Sequence, residues 1–563
     1  MSGILRVVVP MIAALPLVVG AEVSWTGDSG TWQRAAAWSG GSVPAAADQV
    51  VIGDVAQGKR TITIDQPATI AGLSMSQQGA GSNALVLAAD LVIVPAQRAA
   101  PLTLERKAGT LSIDCGKHRL ALRGAHLGTV TLPGTVTLGP GSLLLVDIDA
   151  ERGGAELVNS GIIDQRGGVL RYHWRAAKPH YEQRKLVNRA GATWTIAAGG
   201  RVEAVVGPAD DATETSTLTE LRNDGDLRLD GGVVLPVYTL DNAGTLVLGD
   251  AAIGHAIQYG SAKLHNHGSG SITVTGEALV GGKDLFFDVA RVDNGDQDLP
   301  GARLRIGADG KPARLTLRRA NTTMTNAAGC SVEIASGSAL KLWGAGRDHH
   351  PCQTTIINWG SWLQRGRIEV QPNAQPGTTS GVNNKGEFQI SGPECVFERL
   401  GNVHYDEDCR AMFANHTTGV LTGDGTLTYV NSTGKPRSGA LLVQNSGRIA
   451  PGTAKQPGTL TLVNADVSFS DAGTGTLAIR VFSTKPDGCD RLVLSGEQGG
   501  SFALSDEGAA LSVTLAPGFA ATSPAQWRVV TAKQVVGGFS ASELPKGFSV
   551  ASDATGIVLS YAP

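Results

Sequence analysis

Two short stretches gather the side-chain types that carry acid–base chemistry. Residues 395–410 hold His404, Tyr405, Asp406 and Arg410 beside Glu398, Glu407 and Asp408, and residues 343–352 hold Arg347, Asp348, His349 and His350. A polysaccharide lyase needs a Lys, Arg, His or Tyr as base, next to a group that neutralises a uronate carboxylate. A glycoside hydrolase needs two carboxyl groups a short distance apart. His404, Tyr405, Asp406 and Arg410 supply either set by residue type and are the catalytic candidates. No motif fixes their geometry, and a solvated polar loop tied down by a disulfide is the plainer reading of the same residues.

Residues 171–184 read RYHWRAAKPHYEQR, in which Tyr172, Trp174 and Arg175 offer stacking surfaces and positive charge. Together with His349 and His350 they are the candidates for holding an acidic polysaccharide; a partly packed loop is the alternative. Asp293, Asp296 and Asp298 close an acidic run that has the oxygen ligands calcium prefers. The run lacks the spacing of an EF-hand or of a Gly-Gly-x-Gly-x-Asp repeat, so a charged surface is the competing reading. No other cofactor or metal is expected: Cys-x-x-Cys spacing, Gly-x-Ser-x-Gly, His-Glu-x-x-His and a P-loop are all missing from the sequence.

The elements that must position these residues announce themselves by repetition. Leu157-Val158-Asn159-Ser160-Gly161 returns as Leu186-Val187-Asn188-Arg189-Ala190-Gly191, Leu221-Arg222-Asn223-Asp224-Gly225 and Leu240-Asp241-Asn242-Ala243-Gly244. The phrase continues at Asn266, Asn294, Asn326, Asn358, Asn384 and Asn445. Short apolar strands follow most copies, and the spacing up to Asn384 varies between 19 and 35 residues. That period, with insertions of unequal length, predicts stacked coils of two or three strands each. Asn and Gly enter positive-φ backbone at least cost, so they are expected at the corners, and stacked Asn side chains are expected to form a hydrogen-bonded ladder. The predicted fold class is all-β, a right-handed parallel β-helix (solenoid) with β caps at its N- and C-terminal ends. A globular sandwich with hairpin turns is the alternative.

Residues 1–21 read as a secretory signal peptide: Arg6 is basic, residues 7–19 are apolar, and Val19-Gly20-Ala21 offers small residues for cleavage. No later apolar run approaches the length of a membrane helix, so no integral membrane segment is expected in the mature chain. A net charge of −3 gives no field for nucleic acid. The six cysteines are an even number in an exported chain, which permits disulfides. Cys395 with Cys409 and Cys330 with Cys352 would each close an insertion; buried free thiols are the other possibility.

The mature N-terminus carries Trp25-Thr26-Gly27, Gly30-Thr31-Trp32, Ala37-Trp38-Ser39-Gly40-Gly41, Val43-Pro44 and Asp48-Gln49-Val50-Val51-Ile52. Tryptophans there would cover the open apolar end of the stack, carbohydrate stacking being the alternative. This stretch resembles the opening of exported bacterial β-helix proteins of the autotransporter-passenger type, with Ala37 standing where that pattern usually has Asn. Asn445-Ser446-Gly447-Arg448-Ile449-Ala450-Pro451-Gly452, Gly475-Thr476-Leu477-Ala478-Ile479 and Asp490-Arg491-Leu492-Val493-Leu494-Ser495-Gly496 resemble the closing coils of such passengers. The outer-membrane barrel that an autotransporter would add after them does not follow before Pro563. The expected organisation is a leader (1–21), an N-terminal cap and first coils (22–125), a β-helix with loop insertions (126–450) and passenger-like closing coils (451–563). The resemblance implies an exported structural or adhesive rod, secreted or at a cell surface, whose partners are polysaccharide or cell-surface components. A polysaccharide lyase or glycoside hydrolase on the same scaffold is the alternative.

Overall fold

The computed structural model describes residues 20–95, 101–124, 127–148, 155–175, 184–208, 214–254, 261–282, 289–296, 298–319, 321–344, 354–371, 380–400, 411–432, 439–469, 475–505, 509–520 and 522–563. The described chain is short β-strands joined by turns, with one short 3-10 turn, Ala35–Ala37, as the only helical element among the described residues. A coil has three sides. Thr354–Asn358, Ser361–Gln364 and Arg367–Gln371 form one coil, and Ser380–Asn384 begins the next. Most strands pair in parallel with their equivalents one coil on, as in Asn358 with Asn384, Trp362 with Phe388 and Ile368 with Phe397. Three parallel sheets result, here called first, second and third in the order a coil visits them.

Strand composition explains the stacking. Thr193–Ile196 reads Thr-Trp-Thr-Ile, with the threonines half-buried outward and Trp194 and Ile196 buried inward. β-branched and aromatic residues fit a pleated surface with one face buried. Because the register is residue-for-residue, inward side chains pile into columns; Trp362 stacks on Phe388 with ring centroids 5.6 Å apart. Each fully buried aliphatic or aromatic side chain contributes about 1.5–3 kcal/mol by leaving water.

The asparagines form the expected ladder, and it is longer than the sequence phrase suggests. Asn159, Asn188, Asn223, Asn242, Asn266, Asn294 and Asn326 each donate from Nδ2 to Oδ1 of the next, at 2.7–2.8 Å. Asn358, Asn384 and Asn415 continue it to Asn445. All the amides point the same way, so each bond polarises the next. Asn445 is followed in register by Phe469, where the ladder ends.

The backbone reason expected for these residues needs correction. The ladder asparagines are the last residues of first-sheet strands, and the one non-glycine residue with positive φ among the described residues is Asn464. Their task is side-chain pairing in the coil interior. The tight corners likewise need glycine for space: a Cβ on Gly244 would lie 2.1 Å from the Gly225 carbonyl oxygen of the coil before. Where the corner is a residue longer, as at Gly191, φ is +78° and the left-handed explanation holds.

Both ends are covered. Trp25, Trp32 and Trp38 are buried and pack edge-to-face at 4.8 and 4.7 Å, with Trp38 Nε1 donating to the Trp32 carbonyl. At the other end Phe548–Asp553 and Gly556–Tyr561 form an antiparallel hairpin on Ala525–Thr531, closing the third-sheet edge. No helix of the described residues is long and apolar enough to cross a membrane.

Coil length varies mostly at one place. The corners from first to second and from second to third sheet are mostly short. The return from third to first sheet runs from Trp174 to Arg184, Gly344 to Thr354, Gln371 to Ser380 and Arg399 to Ala411, but only from Leu235 to Val237 in the tightest coil. The irregular Asn spacing therefore has one main origin.

Candidate functional face

His404, Tyr405, Asp406, Arg410, His349, His350, Cys352 and Cys409 lie outside the described residues. In sequence they fall in two of these third-to-first-sheet connections, the ones that follow Gly344 and Arg399.

Tyr172 and Trp174, expected on a binding surface, are core residues. Both are fully buried on Val169–Trp174, stacked at 5.6 Å, and burial drives the Tyr172 hydroxyl well above the usual phenol range. Their alternation puts them on the inward face of the third sheet, a period that the aromatic and basic composition of the stretch disguised. Arg175 is drawn to Asp147, a fully buried carboxylate that also pairs with Arg123 at 2.6 Å and His173 at 3.1 Å. Arg123, Asp147 and His173 are register neighbours on three successive third-sheet strands. The cluster fastens those coils together, with His173 Nε2 and Arg175 reaching the Gly207 and Pro208 carbonyls.

Of the residues named for calcium, Asp293 is nearly buried and pairs with Arg291 at 2.7 Å and Lys263 at 3.5 Å, and Asp296 pairs with His265 at 2.9 Å. Asp298 is exposed. Among the described residues no group of three or more His, Cys, Asp or Glu side chains is placed to hold a metal ion. Instead His265 bridges two carboxylates, its other nitrogen lying 2.8 Å from Asp241, with His267 stacked on its ring. The Asp241 hydrogen bond, opposed by burial and aided by Asp296, raises the His265 pKa. Burial pulls Asp241 upward, but the His265 hydrogen bond and the charges of His267, His265 and Arg222 outweigh it and leave the carboxyl below its ordinary range.

Cys330 and Cys395 are buried free thiols, as are Cys115 and Cys489. The Cys395 thiol donates to the Gln364 carbonyl at 3.1 Å, and burial pushes its pKa up to about 11.

A group of half-buried aromatic and charged side chains faces outward from the third sheet beside the variable corner. Trp343, half-buried, carries the Arg318 guanidinium at 4.8 Å and the Lys341 ammonium at 4.4 Å from its ring centroid. One coil on, Glu369 takes Arg314 at 3.5 Å and Lys341 at 3.9 Å, Arg314 reaching it across the small Ala339. Glu398, the register partner of Glu369, pairs with Arg367 and Ser432. Both carboxylates are engaged by cations, which suits a binding face better than an acid–base pair. Sequence reasoning passed over Trp343, Arg318 and Lys341 because they are outward residues of regular strands; their signal was the break in apolar alternation at Leu342-Trp343.

No family's sequence profile matches the chain, and no curated protein matches it. Among solved structures, the crystal structure of the Haemophilus influenzae Hap adhesin is similar at 13% identity over 91% of this chain, with a TM-score of 0.22. The match spans 64% of that adhesin's chain, less than two thirds. A likeness at that score carries no argument about function, so the functional reading rests on the residues.

Proposed function

We propose that the chain is an exported structural rod with an adhesive face that binds acidic carbohydrate at a cell surface or in the extracellular space. The observation that carries this reading is Trp343 with Arg318 and Lys341 on the outer third sheet. An indole beside two cations offers a stacking surface and positive charge together, the pair of features a uronate ring would engage. The rod supplies rigidity: the second sheet runs through every coil and the asparagine ladder ties ten successive steps. Export is supported by the leader pattern of residues 1–21 and by the passenger-like motifs at both ends.

The test is retention of the purified chain on immobilised polygalacturonate, alginate and neutral dextran. Binding to the acidic gels, weakened about tenfold by Trp343→Ala and by added salt, is the expected result. Equal retention of the Trp343→Ala variant, or none of the wild type, would overturn the reading. Release of reducing ends or unsaturated products, lost on changing His404 or Asp406 to Ala, would replace it with the enzyme.

A further inference from the structure

Of the nine tryptophans in the chain, seven are buried and Trp343 is half-buried; Trp359 alone is exposed, at 44%. It stands at the corner between the first and second sheets, directly after the ladder residue Asn358. The fold does not require an indole there: Ser160, Arg189, Asp224, Ala243 and Ser446 occupy the same corner after Asn159, Asn188, Asn223, Asn242 and Asn445. The corner also holds the residue in one place. The Trp359 amide donates to the Asn326 carbonyl, and a Cβ on Gly360 would lie 2.3 Å from the Cys330 carbonyl oxygen, so the turn is close-packed on the coil before.

A single exposed indole is ordinary; its neighbours make it a site. The equivalent residues of the next two coils are Lys385 and His416, whose amides donate to the Asn358 and Asn384 carbonyls. Equivalent positions repeat at about 4.8 Å along a stack of parallel strands, so indole, ammonium and imidazole form a row along the rod. The Lys385 ammonium lies 4.1 Å from the Trp359 ring centroid and, among the described residues, pairs with no carboxylate. His416 Nε2 donates to Asn383 Oδ1 at 3.2 Å, which leaves the Asn383 amide nitrogen and His416 Nδ1 without partners among the described residues. Burial and the Lys385 charge lower the His416 pKa, so the ring is neutral near pH 7 and Nδ1 keeps its lone pair.

A stacking face, a cation, a hydrogen-bond donor and an acceptor for a hydroxyl thus lie together on three successive coils. A bare inorganic anion would leave the indole and the acceptor idle, and a neutral sugar would leave the ammonium idle. A sugar acid engages all four. We infer that this corner is a second carbohydrate site, for one uronate unit of an acidic glycan, with the ring stacked on Trp359, the carboxylate at Lys385 and hydroxyls at Asn383 and His416. The inference rests on the proposed adhesive function for its class of ligand, but not for its place. Trp343 faces outward from the third sheet, and the corner of the first and second sheets lies across the coil from it. A rod with a site on each of two sides joins two glycan chains.

Calorimetric titration of the whole mature chain with trigalacturonate, and with maltotriose as its neutral counterpart, tests the site. The wild type should take up two equivalents and Trp343→Ala one. In the Trp343→Ala background, a second change of Trp359→Ala or Lys385→Gln should weaken trigalacturonate by about fivefold or more. The melting temperature should not move, because both side chains lie outside the core. Maltotriose should bind the Trp343→Ala chain more weakly than trigalacturonate by about the same factor. If Trp343 is not a binding residue, the wild type and Trp343→Ala should each take up one equivalent, lost in both on adding Trp359→Ala, and the corner site stands. No binding to Trp343→Ala, unchanged affinity after Trp359→Ala, equal affinity for maltotriose, or full displacement by equimolar sulfate would each overturn it.

Discussion

Asn384 donates its side-chain amide to Asn415 at 2.8 Å, inside the coil, where both residues are shielded from water. The same bond recurs from Asn159 to Asn445, and its direction never reverses. A buried amide in such a chain has no solvent to turn to if its partner is lost, which makes position along the ladder matter.

Asn223 both accepts from Asn188 and donates to Asn242. Asn223→Ala strands a donor on one side and an acceptor on the other, and should cost about 2–4 kcal/mol. Asn445 accepts from Asn415 but passes nothing to Phe469, donating instead at 3.2 Å to Gly447. Asn445→Ala should cost about half as much. Urea midpoints of the two variants check this; an equal loss would mean that the ladder is not cooperative.

Glycines at the corners divide by mechanism. Gly244→Ala sets a methyl 2.1 Å from the Gly225 carbonyl oxygen and should destabilise by about 2 kcal/mol or more. Gly191→Ala meets nothing within 4 Å and bears only the strain of φ +78°, about 1 kcal/mol. Melting temperatures should fall in that order, and the reverse order would show that conformational strain outweighs crowding here.

His265 makes stability depend on pH. Its pKa is raised in the fold above the ordinary 6.5, so its contribution is fully present below that value and fades as pH rises through the folded pKa. Asp241 is lowered, so its contribution is present above the ordinary 3.8 and fades as pH falls through the folded pKa. The pair therefore stabilises most between those two values, with Lys263, Arg222, His267 and Asp296 as the other charges nearby. His265→Gln should cost about 1 kcal/mol near pH 5.5 and little near pH 8.5. Denaturant midpoints at the two pH values decide it; a loss that is unchanged or larger at the higher pH contradicts the assignment.

Buried thiols should be silent. Burial pushes the Cys115 and Cys489 pKa values up to about 12 and that of Cys395 to about 11, and the thiolate is the reactive form. Iodoacetamide near pH 8 should leave all three unmodified in the folded chain and alkylate them in denaturant, as read by mass spectrometry of peptides. Modification of Cys395 in the native protein would mean that its coil opens.

The amino-acid sequence alone determined the coil. Apolar residues at every second position of short strands, with Asn and Gly returning at each first corner, allow few folds other than stacked parallel turns, and the asparagine ladder follows from stacking them. The tertiary structure decided what the repeated phrase was for. Asn415 escaped the phrase because its corner glycine, Gly419, comes four positions later rather than one to three, yet register with Asn384 places it in the ladder. Tyr172 and Trp174 read as a surface by composition and are core by alternation, because a one-residue change of phase exchanges the two faces of a strand. Lys341 and Trp343 share a face by alternation on one strand, but Arg318 joins them only because the strand of the preceding coil lies alongside in register. Pairing between coils is set by register over distances the local sequence does not encode, so the complete face was visible only once the coils were stacked.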